Sequence, residues 1–547
     1  MTAAPSRPVA TPAAAPSRGG ATPPVASGRL PVLGHLLALR RDPLKLLQRV
    51  HDECGEVGEI DLAGHRVVLF YGAAAQEAFF RAPDEQLDQA AAYPFMKPIF
   101  GPGVVFDATP EQRKQAMRNR SLRDQFMRGH AEMIAAETER MLEGFGDSGE
   151  FDLLDFMAEL TIYTSTACLI GKEFRDELDS RIYSLFYDLE RGTDAIAYVN
   201  PNLPLPAFRQ RDRARRQLVA LLGEIFERRE RAGTGSQDLF AVLRRLRDAD
   251  GRPRFGTDVI TGMFISMMFA GHHTTSVSTS WALIELLRNP EWLCKVVAEL
   301  DALFADGRSV SYQALREIPL LECALKESLR LHPPLILLMR KVMRDYEYGG
   351  FTVPTGKTVG VSIAVSNRMP EHFPDPERYD PSRYLPPREE DKQPFAWIPF
   401  GAGRHRCVGA AFAMMQLKAI LSILLRRYDF ELAQPPESYR NDLSKMVVAV
   451  RQPCRVRYRR RTAETAARAA GAEAAAAEGA RPWCVRVDLD LCQGHGVCVN
   501  EAPAVFALDE KELRVRVLEE RPGAWQRGAV ESAVRHCPTR AITIQEE

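Results

Sequence analysis

Over residues 109–248 apolar positions recur mostly three and four apart, the spacing of helices that bury one face. The pattern breaks at residues 146–149, 200–206 and 233–235, where Gly, Asn, Ser and Pro gather. Ordered structure is expected to start near Leu30, with an amphipathic helix over 43–53. Residues 58–62 and 66–70 alternate around Ala63-Gly64 and predict a small hairpin. A longer pattern covers 259–284, which holds no Asp, Glu, Lys or Arg but carries two histidines and eight Ser/Thr side chains. That is too polar for a lipid-facing span and predicts a long helix buried in protein. Short strands return over 353–365 between glycine turns. The fold class read from these patterns is mainly α with a small β portion.

The pattern changes after Tyr458. Residues 459–481 are alanine-rich with scattered charge and read as a linker, reaching about 25 Å if flexible. Residues 482–547 then form a small α+β domain, with strands expected over 485–487 and 541–544. Residues 1–28, rich in Ala, Pro, Ser and Thr, lack the apolar core of a signal peptide and are expected to be a disordered tail. The division is therefore 1–28 tail, 29–458 large domain, 459–481 linker and 482–547 small domain.

Composition narrows the function classes. Lys+Arg and Asp+Glu both number 72, so no basic field points to nucleic acid. No segment reads as a transmembrane span. Ten cysteines, mostly scattered, do not form a disulfide framework, while three with motif spacing near the C-terminus point to metal chemistry in a reducing, cytoplasmic setting.

In Phe400-Gly401-Ala402-Gly403-Arg404-His405-Arg406-Cys407-Val408-Gly409-Ala410 a glycine-bounded loop presents one cysteine ahead of an apolar helical run. A lone cysteine is most often an inert buried thiol. Here unpaired backbone N–H groups and the positive end of a helix would stabilise an anionic sulfur. Such a thiolate suits the axial position of a haem iron that activates oxygen. The stretch resembles the haem-binding loop of the cytochrome P-450 superfamily, F-x-x-G-x-R-x-C-x-G, through Phe400, Gly403, Cys407 and Gly409. His405 stands in the arginine position, as in the sterol 14α-demethylases, where it contacts a haem propionate. The resemblance implies a P-450 fold over 29–458, a b-type haem (heme b) and Cys407 as iron ligand.

Glu327-Ser328-Leu329-Arg330 puts opposite charges on one helical face. An isolated pair of this kind is worth little, but the stretch resembles the superfamily's structural E-x-x-R pair, with Arg383 as its third partner. The long helix carries Ala270-Gly271-His272-His273-Thr274-Thr275. Small residues there admit a flat ligand, and Thr274 beside His273 is a candidate proton relay during oxygen activation. The stretch resembles the distal A-G-x-[D/E]-T motif, with histidine replacing the acid as in sterol 14α-demethylases. The plain alternative is a histidine pair satisfied within a core.

Residues 93–107, from Tyr93 to Asp107, are too broken by Pro and Gly for a regular helix and too apolar for an ordinary exposed loop. They suit a cover over an apolar ligand and resemble the substrate-covering segment of sterol 14α-demethylases. That resemblance implies Tyr93, Lys114, Arg340 and His405 near haem or its propionates. It puts Phe95, Met96, Phe100, Phe106, Ala270, Leu335 and Met446 against an apolar, sterol-like substrate. Phenylalanine at position 95 is associated in that family with C4-monomethyl sterols.

In the small domain, Cys492-Gln493-Gly494-His495-Gly496-Val497-Cys498 precedes a distant Cys537-Pro538. Bacterial ferredoxins use C-x-x-C-x-x-C with a remote C-P, and His495 takes the middle cysteine's place. Three thiolates favour a 3Fe–4S cluster; a 4Fe–4S cluster with His495 as a ligand, or a zinc ion, stay open. Cys484 lies outside the motif and reads as structural. The implied protein is a sterol 14α-demethylase-like monooxygenase joined to its ferredoxin, using O2 and electrons from a separate NAD(P)H-dependent ferredoxin reductase. Hydroxylation of another apolar molecule, such as a terpenoid or fatty acid, and a non-catalytic haem electron carrier or sensor are the alternatives.

Overall fold

The computed structural model describes residues 20–105, 124–177, 181–193, 196–197, 200–232, 243–248, 250–462, 483–509, 514–523 and 526–546. Helix α1 (Pro43–Cys54) starts as its residues dictate: the Asp42 side chain accepts from Lys45 N at 3.0 Å, and proline takes the first turn. Strands β1 (Val57–Leu62) and β2 (His65–Phe70) form the expected hairpin. Ala63 (φ 53°) and Gly64 (φ 90°) both take left-handed conformations, which match the strands' twist. Helix α2 (Gly72–Arg81), strand β3 (Leu87–Asp88) and the short α3 (Lys97–Phe100) lead into the covering segment.

Strand β4 (Ser148–Asp152) precedes helices α4 (Leu153–Leu169), α5 (Arg181–Glu190) and α6 (Pro206–Ala232). Then come the long α7 (Thr257–Arg288) and α8 (Pro319–Leu331). Strands β5 (Leu338–Val342) and β6 (Thr358–Val361) complete a five-stranded sheet of order β1-β2-β6-β5-β3, in which only β2 and β6 run parallel. Helix α9 (Ala410–Arg427) follows the thiolate loop, and strands β7 (Tyr428–Leu432) and β8 (Arg455–Arg460) form a second sheet with β4.

Helix α7 is about 48 Å long at 1.5 Å per residue and lies inside the protein, as its charge-free pattern predicts. Its hydroxyls are satisfied within the helix: Thr274, Ser278, Thr279 and Ser280 each donate to the carbonyl four residues back at 2.7–2.8 Å. Helix α4 crosses it closely at Gly271, where an added Cβ would meet Ser165 Oγ at 3.0 Å. Among the described residues no helix is long and apolar enough to cross a membrane.

Two expectations change. Residues 146–149 read as a plain break, but Ser148 starts β4, which pairs with β8 some three hundred positions away. From residue 20 onward the N-terminal stretch is built into the large domain. Ala26 is buried and its N–H donates to Glu59 O, while Ser27 holds Glu53. Backbone pairing with β1 gives these residues partners that their composition did not announce. The remainder of the expected tail lies outside the described residues, as do Phe106, Lys114 and most of the linker.

The small domain has its own core around Trp483, Val485, Phe506 and Val530. Strands β9 (Trp483–Val487) and β10 (Ile542–Glu546) pair antiparallel, as expected for its ends. Between them lie α10 (Val497–Glu501) and α11 (Arg527–His536). An ion pair between Arg535 and Glu389, 2.7 Å, links this domain to the large one.

Candidate active site and electron-supply site

The thiolate loop is shaped by backbone that only glycine accepts. Gly403 has φ 61°, and a Cβ there would lie 2.4 Å from Phe80 O. Cys407 N donates to Phe400 O at 2.8 Å, which fixes the cysteine against the start of the loop. The Cys407 side chain is accessible to solvent. Burial by the surrounding protein nevertheless pushes its thiol above the ordinary value, while the Gly409 N–H and the Arg406 charge pull the other way. A positive ion at the sulfur would tip that balance to the thiolate.

Behind the loop, Glu327 holds Arg330 at 2.8 Å through both oxygens and Arg383 at 3.0 Å, and Tyr384 donates to it at 2.9 Å. Glu327, Arg330 and Arg383 are all fully buried. The pair that looked like surface decoration is an interior network, and Arg383 is the third partner expected. Lys326 O takes the Trp397 Nε1–H at 3.3 Å, and the Trp397 ring lies 6.2 Å from that of Phe400, linking the bracing helix to the loop.

Arg340 on β5 is buried. Its Nη1 donates to Phe79 O (2.7 Å) and Ala82 O (3.3 Å), and its guanidinium lies 4.6 Å from the Phe79 ring centre. Its Nη2 is buried with no hydrogen-bond partner in the protein. A buried cationic N–H left so is costly and calls for an anion. Tyr93 is buried beside it: its hydroxyl accepts from Met339 N at 2.9 Å, and burial raises its pKa to about 12. His405 turns its Nε2 to Asp84 Oδ1 at 2.6 Å, so a carboxylate of the protein already occupies one ring nitrogen. A thiol, a buried guanidinium wanting an anion and a neutral tyrosine hydroxyl fit a haem with its propionates.

Between Ile260 and Leu286 of α7 the positions that are not buried are Met263, Met267, Ala270, Gly271 and Thr274, a single helical stripe. Thr274 therefore shares a face with Ala270, whose carbonyl takes its hydroxyl at 2.8 Å. His273 lies off this stripe. It is buried, its ring centre is 4.4 Å from that of His272, and its Nδ1 is 3.7 Å from Glu190 Oε1. Burial, with the nearby Lys445 charge, lowers its pKa to about 3, so it is neutral at ordinary pH. Lys445 Nζ meets Glu190 Oε2 at 2.6 Å, and burial raises the Glu190 pKa against that attraction. A cavity of about 540 Å³ reaches these groups, lined by Tyr187, Glu190, His272, His273, Asp442 and Lys445 among others. Sequence reasoning missed Glu190 and Lys445; both lie in ordinary helical or loop patterns, and only the fold brings them to the histidines.

The covering segment forms two 3-10 turns and α3. Phe95, Met96 and Phe100 are buried in one core with Phe264, Ile265 and Phe269 of α7. The Phe100 and Phe269 rings meet edge-on at 5.6 Å. Half-buried Met446 packs against this core and against the neighbouring one around Trp281, to which Leu335 also belongs. Residues spread from 93 to 446 thus converge on one apolar region.

In the small domain, Gly494 (φ 68°) and Gly496 (φ 70°) bend the loop between Cys492 and Cys498. Cys492 Sγ accepts from Val515 N at 3.5 Å and Cys537 Sγ from Ala541 N at 3.3 Å. Burial pushes the Cys537 thiol up, but bonds from Thr539, Ala541 and Ile542 outweigh it and hold it below the ordinary value. Burial raises Cys498, which also feels both Cys492 and Cys537. His495, between them in sequence, is exposed. Among the described residues no three His, Cys, Asp or Glu side chains group tightly enough for one metal ion. Three thiols supplied with N–H donors fit an iron–sulfur cluster. Cys484 is buried against Gln545, in keeping with a structural part.

Residues 23–456 match the family described as Cytochrome P450, and residues 485–544 match a 4Fe-4S single cluster domain. The chain belongs to the cytochrome P450 family and carries a C-terminal iron–sulfur domain of ferredoxin type. The sterol 14alpha-demethylase of Mycobacterium tuberculosis is 59% identical over 433 residues, 78% of this chain and 96% of the relative. That of Mycolicibacterium vanbaalenii is 57% identical over 432 residues, with the same coverage. Within the family, the chain falls among the sterol 14α-demethylases. A retinoic acid-bound cyanobacterial CYP120A1 has the same fold, with TM-score 0.72 and 24% identity over 80% of this chain and 99% of that one.

Proposed function

We propose that the chain removes the 14α-methyl group of a sterol by three oxygenations, through alcohol and aldehyde to formate and a 14,15 double bond, using electrons from its own iron–sulfur domain. The observation that carries this is the convergence of the covering segment, α7 and Met446 on one apolar region, next to the buried guanidinium of Arg340. A haem held by Cys407 supplies the one-electron oxygen chemistry. Arg340 and Tyr93 hold the propionates, with His405 at their edge through its link to Asp84. Phe95, Met96, Phe100 and Met446 wall the sterol and keep water from it. Ala270 and Gly271 leave room for the flat ligand, and Thr274 holds the proton at Oγ1. Neutral His273, on a face of α7 other than that of Thr274, exchanges a proton with Glu190, whose Oε1 lies 3.7 Å from its Nδ1. Phe106, Lys114 and Leu335 keep the substrate and haem roles that the resemblance implies.

Product analysis tests the reaction. With a 14α-methyl sterol, O2, NAD(P)H and a ferredoxin reductase, formate and the 14,15-unsaturated sterol are expected in equal amounts. Hydroxylated sterol without formate would overturn the demethylase reading. Phe95 favours a C4-monomethyl sterol, so such a substrate is expected to give the higher kcat/KM.

The cluster is read as 3Fe–4S, because three thiolates leave one corner of a cube without its usual ligand and His495 is exposed. The description of the matched domain, a 4Fe-4S single cluster domain, favours four irons, for which His495 would be the candidate fourth ligand. Electron paramagnetic resonance of the purified protein separates them: an oxidised-state signal supports three irons, and a silent oxidised state with a reduced-state signal supports four. The separate reductase belongs to the same proposal, since the sequence carries no flavin or nicotinamide fingerprint to reduce the iron–sulfur domain; the cytoplasmic setting rests on cysteines with metal-ligand spacing, which suit a reducing compartment.

A further inference from the structure

We propose that Arg215 is a latch that closes the covering segment over the substrate and sets how long a bound sterol stays. The inference rests on the reading that residues 93–105 cover the substrate.

Helix α3 has a single turn, in which Lys97 O accepts from Gly101 N at 2.8 Å and the last carbonyls have no further turn to bond. Two of them are taken from outside. Arg215, on α6, donates from Nε to Ile99 O at 3.2 Å and lies with Nη2 3.5 Å from Phe100 O. A cation at the carboxyl end of a helix also meets the favourable end of its dipole. Burial lowers the pKa of this arginine and Asp258 and Asp212 oppose that shift; a guanidinium stays a cation throughout.

The closed position is cut to fit on both sides. Gly101 ends α3 at φ 94°, and a Cβ there would lie 2.1 Å from Arg215 Nη2. On α7, a Cβ at Gly262 would lie 2.5 Å from Phe100 O and 2.7 Å from Val104 Cγ2. The short helix therefore sits in a notch of α7, with the guanidinium clamped over its end through the gap that Gly101 leaves. The segment's side chains, Phe95, Met96 and Phe100, are those assigned to the sterol. Lifting them means breaking the Arg215 contacts first. Arg215 is a positioning residue: it touches no reacting atom.

The test is stopped-flow measurement of sterol binding to full-length holoprotein through the substrate-induced shift of the haem spectrum. The variants are Arg215→Ala, Arg215→Lys and Gly101→Ala. Loss of a charge-assisted hydrogen bond to the closed state is expected to raise the sterol dissociation rate about tenfold in Arg215→Ala. Gly101→Ala, which pushes the guanidinium out from the opposite side, should give the same direction, and Arg215→Lys a smaller rise. NADPH consumed per formate released should rise in parallel as water enters, while the rate of cluster-to-haem electron transfer stays at the wild-type value. Dissociation rates within twofold of wild type in both Arg215→Lys and Gly101→Ala would overturn the latch, even if Arg215→Ala failed to fold. A wild-type protein that shows no spectral shift with any sterol would instead overturn the covering-segment reading itself.

Discussion

Cys407 and Cys537 are both proposed as iron ligands, yet the protein around them is organised very differently. Cys407 follows a loop braced by Glu327, Arg330 and Arg383, all fully buried, and lies in a domain with several large cores. Cys537 sits at the end of a ten-residue helix, in a domain of two-stranded sheets and short helices around one small core. A unit of roughly 65 residues buries too little apolar surface to be secure by itself. The large domain is expected to hold its site without metal, whereas the small domain is expected to draw folding free energy from its cluster. Metal would then be a guest in one and part of the frame in the other.

The strongest way to break this contrast is to remove each centre in turn. Stripping the cluster with chelator and oxidant is expected to unfold residues 483–546, seen as lost amide-exchange protection there with the large domain unaffected. Cys407→Ala should abolish the thiolate-type spectrum of the reduced, CO-bound haem while the large domain keeps its fold by circular dichroism. Persistence of the small domain without its cluster would erase the distinction.

Next in size is the bracing network. Glu327→Gln leaves buried Arg330 without its counter-charge and Arg383 with only Glu390, at 3.3 Å, and is expected to cost about 3–5 kcal/mol, read from denaturant unfolding of the large domain alone. A midpoint equal to wild type would mean that the preformed site does not rest on this network.

A smaller effect comes from pH. His273 has a folded pKa of about 3 against an ordinary 6.5, so the unfolded chain binds the extra proton first. Stability from this group is complete above about pH 6.5 and is lost as pH falls toward 3, on the order of 1–2 kcal/mol by pH 5. His273→Asn should flatten the acid side of the large domain's Tm profile. An unchanged profile would show that the neutral imidazole is not what acid attacks.

The smallest effect belongs to the contact between the domains. Arg535 and Glu389 are both partly exposed, and such pairs are worth about 1 kcal/mol or less. Arg535→Glu should weaken the salt dependence of cluster-to-haem electron transfer, with a rate change under about fivefold, and Glu389→Lys in the same chain should restore it. Failure of the reversed pair to restore the rate would remove this contact from electron transfer.

What sequence could show follows the same line between local and distant causes. The Ala63-Gly64 hairpin, the Pro43 helix start, the charge-free long helix and the cysteine motifs are written in neighbouring residues. The β4–β8 pairing and the packing of residues 20–28 on β1 depend on backbone groups far apart in the chain, which carry no local mark. The Glu190–Lys445 pair is invisible for the same reason, and His273 looked adjacent to Thr274 only because adjacency along a helix is not adjacency on its face. Arg383 was found because its surroundings are a motif; Arg215 was not, because its partners are carbonyls.

The notch at Gly262 also bears on how this protein could be made sturdier. Replacing helix-internal glycine by alanine commonly gains about 0.5–1 kcal/mol. Gly129, in a helix over Asp124–Leu142, and Gly223, in α6, meet nothing within 4 Å of an added methyl group, and both should reward the change. At Gly262 the identical substitution drives a methyl group to 2.5 Å from the Phe100 carbonyl oxygen, so the helical gain would be lost to a clash with the covering segment.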